Sequence, residues 1–303
     1  MLVMFSCLLI GFILRKTKLA PENSASVMSK LELYIFLPAQ IVQTFISNCT
    51  IESIVAKYSI ILYGAIAIVV AILIGFPISR FFAKDRNQRK IFRYGLIFAN
   101  FGFLGMAIVP QIMGDEGMYA YMLFILPINA AVYGWGINSL IPDEYGKNNS
   151  LLKRILNPNI ISMAVGISLG LLGAKQWMPQ FALTTMQNLS ACMGPVAMIL
   201  TGFIIGGYHI PSLLKNMRVY IITALRLIVL PMLIVGILRF LRADQMTIKV
   251  AMFAFASALG LNTVVIPAAY DADTTTGAAM ALISHILGVV TIPLLYAILL
   301  QFS

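Results

Sequence analysis

Two apolar stretches carry an unusual set of polar and small residues. "FANFGFLGMAIVP" holds Asn100, Gly102 and Gly105, and "FASALGLNTVVIP" holds Ser257, Gly260 and Asn262. Glycine and proline are the residues a helix interior tolerates least. A helix broken at such a place frees backbone N–H groups at the start of its second half, where the helix dipole is positive. Two such starts, with Asn amides able to donate to carboxylate oxygens, form a site for an anion. The expected substrate-binding residues are therefore Asn100, Phe101, Gly102, Gly105, Ser257, Gly260 and Asn262. The plainer alternative is that these residues only allow close helix packing or a kink.

Other polar residues extend the set. Arg226 in "TALRLIVLP" is either a countercharge for an anionic substrate or an arginine that snorkels to the surface marked by Arg218. Gln40 and Gln43 follow Pro38 at i, i+3 spacing and share a helix face. They either donate amides to a cavity or bond between helices. His285 in "LISHILG" and Glu32 in "KLELYIFLP" are candidates for proton or substrate coupling. Their simpler roles are a hydrogen-bonded interhelical imidazole and an interfacial carboxylate. Pro38, Pro110, Pro195 and Pro267 read as helix kinks.

Several chemistries are disfavoured. Neither stretch has an Asp or Glu at its break, where a sodium/proton antiporter is expected to keep carboxylates. There is no P-loop and no HExxH motif, and Cys7, Cys49 and Cys192 lack metal or disulfide spacing. No cofactor and no metal is expected. An intramembrane enzyme needs a nucleophile–base or metal constellation, which His285 alone does not supply, so the chain reads as a non-enzyme.

The elements that must position these residues follow from composition. Of 303 residues, 60% are apolar and 11% charged, with a mean hydropathy of +0.92. A soluble domain carries about 25% charged residues, so the chain reads as an all-α polytopic membrane protein embedded in a lipid bilayer. Its apolar blocks are too long for the alternation of a β-barrel. Ten spans are expected, at 1–14, 30–47, 58–79, 92–112, 116–141, 156–174, 186–207, 218–238, 248–270 and 277–301. "MLVMFSCLLIGFIL" lacks the basic flank and cleavage site of a signal peptide. At about 1.5 Å per residue it covers roughly 21 Å of a ~30 Å hydrocarbon core. A short first helix, or residues missing before Met1, would account for that.

The net charge of +10 is not a nucleic-acid signature, because nearly all the basic residues lie in connectors, Arg226 inside a span being the exception. Arg15, Lys16, Lys18 and Lys30, the cluster between Arg80 and Arg93, Lys147, Lys153, Arg154, Lys215 and Arg218 fall on one side. Lys57, Lys175, Arg239, Arg242 and Lys249 fall on the other. The positive-inside rule then puts both termini outside a plasma (bacterial inner) membrane.

Five spans per half imply opposite orientations. At an offset of 157, Pro38 meets Pro195, Thr44 meets Thr201, Phe98 and Ala99 meet Phe255 and Ala256, and Pro110 meets Pro267. The halves, 1–141 and 156–303 around a cytoplasmic connector at 142–155, read as inverted repeats, a recurring build of secondary transporters. Asn100 pairs with Ser257 and Gly105 with Asn262, so the breaks match in kind and not residue by residue.

The segments "KLELYIFLPAQIVQTF", "ANFGFLGMAIVPQIMGDEG", "ILNPNIISMAVGISLGLLG" and "YDADTTTGAAMALISHILGVVTIPLL" resemble the auxin efflux carrier family of the bile acid/auxin carrier superfamily. The likeness runs through nearly the whole chain in the right order, and Asn100-x4-Gly105 is its most specific piece. It implies ten helices in two inverted five-helix repeats with helices four and nine broken and crossing. Helices one, two, six and seven would form a scaffold. Helices three to five and eight to ten would form a transport domain that moves in an elevator-like cycle. The implied activity is efflux or exchange of small organic anions such as carboxylates; coupling to H+ or Na+ and assembly as a homodimer are compatible with it. A non-transporting receptor or sensor on the same fold is the alternative. The chain departs from the family pattern at Ala107, where members often carry Pro, and at Ala258, Leu259 and Gly260, where a Pro often precedes the Asn.

Overall fold

The computed structural model describes residues 2–141, 158–207, 216–260, 262–268 and 273–301. The connector expected at 142–155 lies outside the described residues. Among the described residues every regular element is helical. In chain order these are α1 (Leu2–Lys16), α2 (Ser24–Asn48), α3 (Ile51–Phe82), α4 (Arg86–Ile97), α5 (Met106–Leu140), α6 (Pro158–Leu171), α7 (Gln180–Gly206), α8 (Met217–Phe240), α9 (Gln245–Ala256), α10 (Asn262–Ala268) and α11 (Thr275–Leu299).

Six of these helices, α2, α3, α5, α7, α8 and α11, are long and apolar enough to cross a membrane. Ten spans were expected, and the difference has physical causes. With 15 and 14 residues, α1 and α6 fall short of the roughly 20 residues a crossing needs. Spans four and nine are each divided by a break, leaving α4 and α9 at 12 residues apiece. The outer half of span four continues into span five as α5. Gly114, at φ 65 and ψ −166, interrupts that helix at the junction.

Two compact units divide the chain. The first comprises Met1–Ser59, Met106–Met122 and Ile155–Tyr208. It contains α1, α2, α6 and α7 with the beginnings of α3 and α5. Its seams are made by glycine. A Cβ on Gly11 of α1 would collide with the Ile199 carbonyl of α7, and one on Gly202 with the Leu8 carbonyl. Helices in lipid gain from such close backbone contact because apolar burial drives their association little. The start of α3 is held by reciprocal caps: Thr50 N donates to Ser53 Oγ at 2.9 Å and Ser53 N to Thr50 Oγ1 at 3.1 Å.

The second unit comprises Ile60–Gly105, Leu123–Arg154 and His209–Ser303. It contains α4, α8 to α11, most of α3 and the later part of α5. Its helices α4 and α9 are built alike. Asp85 caps α4 by accepting from Gln88 N at 2.8 Å, and Asp244 caps α9 by accepting from Thr247 N at 2.8 Å. Each helix ends in an extended residue, Phe98 or Ser257. Caps and ends correspond at a spacing of 159 positions, two more than the residue identities suggest.

Two buried ionisable residues occupy the same local device. Glu32 opens the π turn Glu32–Phe36, and Arg226 lies in the π turn Leu225–Val229. Each turn is followed by Leu-Pro, at Pro38 and Pro231. A proline ring clashes with the carbonyl four residues back. The wider turn relieves this, and Leu37 N reaches Glu32 O while Leu230 N reaches Leu225 O, five residues back in each case.

Candidate functional site

The candidate site lies in the second unit, where the two broken spans meet. The α4 helix closes with Phe98 N donating to Tyr94 O at 2.8 Å, and Phe98 itself is extended at φ −113, ψ 119. The α9 helix closes into Ser257 at φ −60, ψ 146. The two extended segments lie antiparallel and pair at Ala99 and Leu259. Asn100 N donates to Ala258 O at 2.6 Å. A peptide group at a helix break is costly in an apolar interior unless it finds a partner, and each break here supplies partners for the other.

The break is therefore at Phe98–Asn100. The expectation centred it on Asn100 to Gly105, but Phe101–Gly105 is already helical, as a π turn that leads into α5. Asn100 O accepts from both Leu104 N at 3.0 Å and Gly105 N at 3.1 Å. Gly102 lies within that turn, and a Cβ there would meet nothing within 4 Å. On the opposing strand Gly260 has a specific reason to be glycine: a Cβ would stand 3.3 Å from the Ala99 carbonyl oxygen.

Side chains complete the crossing. Asn262 Nδ2 donates to Tyr94 Oη at 2.8 Å, which fixes the direction of the amide. Ser257 Oγ donates back to Phe253 O at 2.7 Å. Leu259 N donates to Ser284 Oγ at 2.9 Å, and that hydroxyl donates on to Ala281 O at 3.1 Å. Tyr94 and Ser284 are the two residues the sequence did not single out. Nothing in their local sequence marks a residue that meets a break far away in the chain.

Arg226 is buried, with 1% exposure. Its guanidinium carbon lies 5.7 Å from the ring centroid of Phe255, two residues before the break in span nine. The side chain thus points into the unit, toward the end of α9. His285 follows Ser284 and is buried. Its Nδ1 is 2.7 Å from Ala281 O, an atom that can only accept, so Nδ1 carries a proton. Nε2 has no hydrogen-bond partner among the described residues.

The remaining expected residues, Pro267 apart, belong to the first unit. Gln40 Nε2 donates to Met106 O at 3.2 Å. Met106 is four residues before Pro110, which has no N–H to give that carbonyl. The Gln40 amide therefore replaces a missing helical bond. Thr263, four residues before Pro267, is in the same position within the second unit. Gly277 of α11 packs directly on its carbonyl, leaving no room for a Cβ. Gln43 Oε1 and both Glu32 carboxyl oxygens are buried with no partner among the described residues. Pro38 follows its π turn, and Pro195 lies inside α7.

Comparison with known proteins gives this geometry a context. The profile of the family described as "Membrane transport protein" matches residues 1–148 and 147–296. A protein of Escherichia coli K12 named uncharacterized transporter YfdV is 25% identical over 301 residues, spanning 95% of this chain and 92% of its own. The uncharacterized transporter MJ1031 of Methanocaldococcus jannaschii is 25% identical over 207 residues, 66% of each chain.

Proposed function

The chain belongs to the membrane transport protein family, that of the auxin efflux carriers, and from this premise we propose that it is a secondary transporter of small organic anions such as carboxylates. The single observation that carries the proposal is the paired crossing, with Asn100 N bonded to Ala258 O. Two half-helices begin there, one after Asn100 and one after Gly260. Their first turns place backbone N–H groups and dipole-positive ends at one locality. The Asn262 amide, held by Tyr94, adds an oriented polar group, and Arg226 on Phe255 adds a nearby positive charge. Donors and positive charge with no carboxylate among them suit an anion.

The transport cycle moves the anion-binding unit against the other, efflux or exchange being the direction, in a plasma membrane with both termini outside and as a homodimer. That the crossing, Arg226 and His285 all fall in one compact unit, and α1, α2, α6 and α7 in the other, supports such a division of labour. The coupling ion is H+ or Na+.

The test is uptake of radiolabelled malate into proteoliposomes by the wild type and by Asn100→Ala and Asn262→Ala. Loss of uptake in both variants, with folding retained, is the expected result. Native rates in both would remove the crossing from the site.

A further inference from the structure

Glu32 is the buried carboxyl that the anion site leaves unused. It is 0% exposed, inside the span Ser24–Asn48, and neither of its oxygens has a hydrogen-bond partner among the described residues. An ionised carboxylate in such a place costs several kcal/mol unless something neutralises it. The π turn that holds it packs against α7, α6 and the flanking parts of α2.

Those helices offer no countercharge. The α6 segment has no titratable residue, and α7 has only Cys192, which is exposed. On α2 the one cation is Lys30, two positions from Glu32 and so on another face, and it is exposed. Arg15 of the same unit is engaged with Glu22 at 3.1 Å. A hard metal cation takes roughly six oxygen ligands, and no second carboxylate stands on the packed helices to begin such a set. A single proton needs no ligand beyond the carboxyl itself. Gln40 Oε1 and Gln43 Oε1 are also buried acceptors without a donor, but they lie about two and three turns further along α2, too far to join Glu32 around one cation.

We propose that Glu32 is the proton-binding group of the transporter, binding one proton and releasing it in each cycle, so that H+ is the coupling ion. The step is carboxylate plus proton giving carboxylic acid, and its reverse. It rests on the carboxylate-transport reading given above. Glu32→Gln, neutral and of the same shape, would hold the site permanently in its uncharged form.

Two measurements on the full chain decide the matter. In proteoliposomes Glu32→Gln should keep exchange of labelled for unlabelled malate and lose malate accumulation driven by a pH gradient. A side chain needed only for folding would affect both. The membrane-soluble reagent dicyclohexylcarbodiimide, which modifies protonated carboxyls, should leave an adduct on Glu32 at acidic pH that fades as pH rises, read by mass spectrometry. Wild-type accumulation by Glu32→Gln, or an unmodified Glu32 at acidic pH, would overturn the assignment. Should wild-type protein not exchange malate at all, the carboxylate reading falls, and the adduct alone decides whether Glu32 binds a proton.

Discussion

The side-chain amide of Gln40 donates to the backbone carbonyl of Met106, 3.2 Å away, in the place where Pro110 leaves the helix without a donor. Gln40→Leu would strand that carbonyl in an apolar interior, at about 1–3 kcal/mol. Pro110→Ala returns an N–H at position 110 and makes the Gln40 amide dispensable. In detergent, Gln40→Leu should lower the apparent Tm clearly in the Pro110 background and little in the Pro110→Ala background. Equal losses in the two backgrounds would mean that Gln40 serves something other than this carbonyl.

Much of this architecture is legible in the sequence, because it comes from residues acting on their own neighbours. The apolar blocks give helices, Asp85 and Asp244 precede the helices they cap, and Gly and Asn mark the neighbourhood of both breaks. The unread part is set by contacts distant in the chain. Phe98 and Ala99 are extended because they pair with the segment at Leu259, and their own residue types carry no sign of it. The repeat spacing of 157 rests on scattered residue identities, whereas the caps and helix ends correspond at 159. Gln40 reads from its sequence as either a cavity amide or a bond between helices, and only the fold brings Met106 O beside it.

Gly260 can be tested by adding a single methyl. Its Cβ would stand 3.3 Å from the Ala99 oxygen and 3.9 Å from Asn100 N, so Gly260→Ala must shift the paired segments by a few tenths of an ångström. Since a misplacement of about 1 Å in a binding geometry can cost 10²-fold, a loss of about tenfold in malate transport is expected. Expression and thermal stability should remain near wild type. Unchanged transport would show that the crossing tolerates separation.

Tyr94 orients Asn262 across 168 positions of sequence. Tyr94→Phe removes the acceptor of that bond and keeps the ring, which contacts Phe98 at 4.9 Å between centroids. One hydrogen bond is worth about 1 kcal/mol net, so the half-saturating malate concentration should rise about fivefold. If Tyr94 acts through Asn262, adding Tyr94→Phe to Asn262→Ala, which already lacks uptake, should lower the apparent Tm no further than Asn262→Ala does alone. Additive losses would give Tyr94 a separate role.

The first unit offers a contrast between contact and charge. A Cβ at Gly202 would overlap the backbone carbonyl of Leu8, and a carbonyl within a helix cannot turn aside as a flexible side chain can. Gly202→Ala must push α1 and α7 apart, at about 1–3 kcal/mol or more. Lys57 and Glu116 form an ion pair at 2.8 Å, with the Glu116 side chain 70% exposed. Such surface pairs contribute about 0–1 kcal/mol. Gly202→Ala is therefore expected to lower the apparent Tm by several degrees, while Glu116→Gln leaves it near wild type and insensitive to salt. The reverse order would mean that the exposed ion pair, and not the glycine seam, holds this unit together.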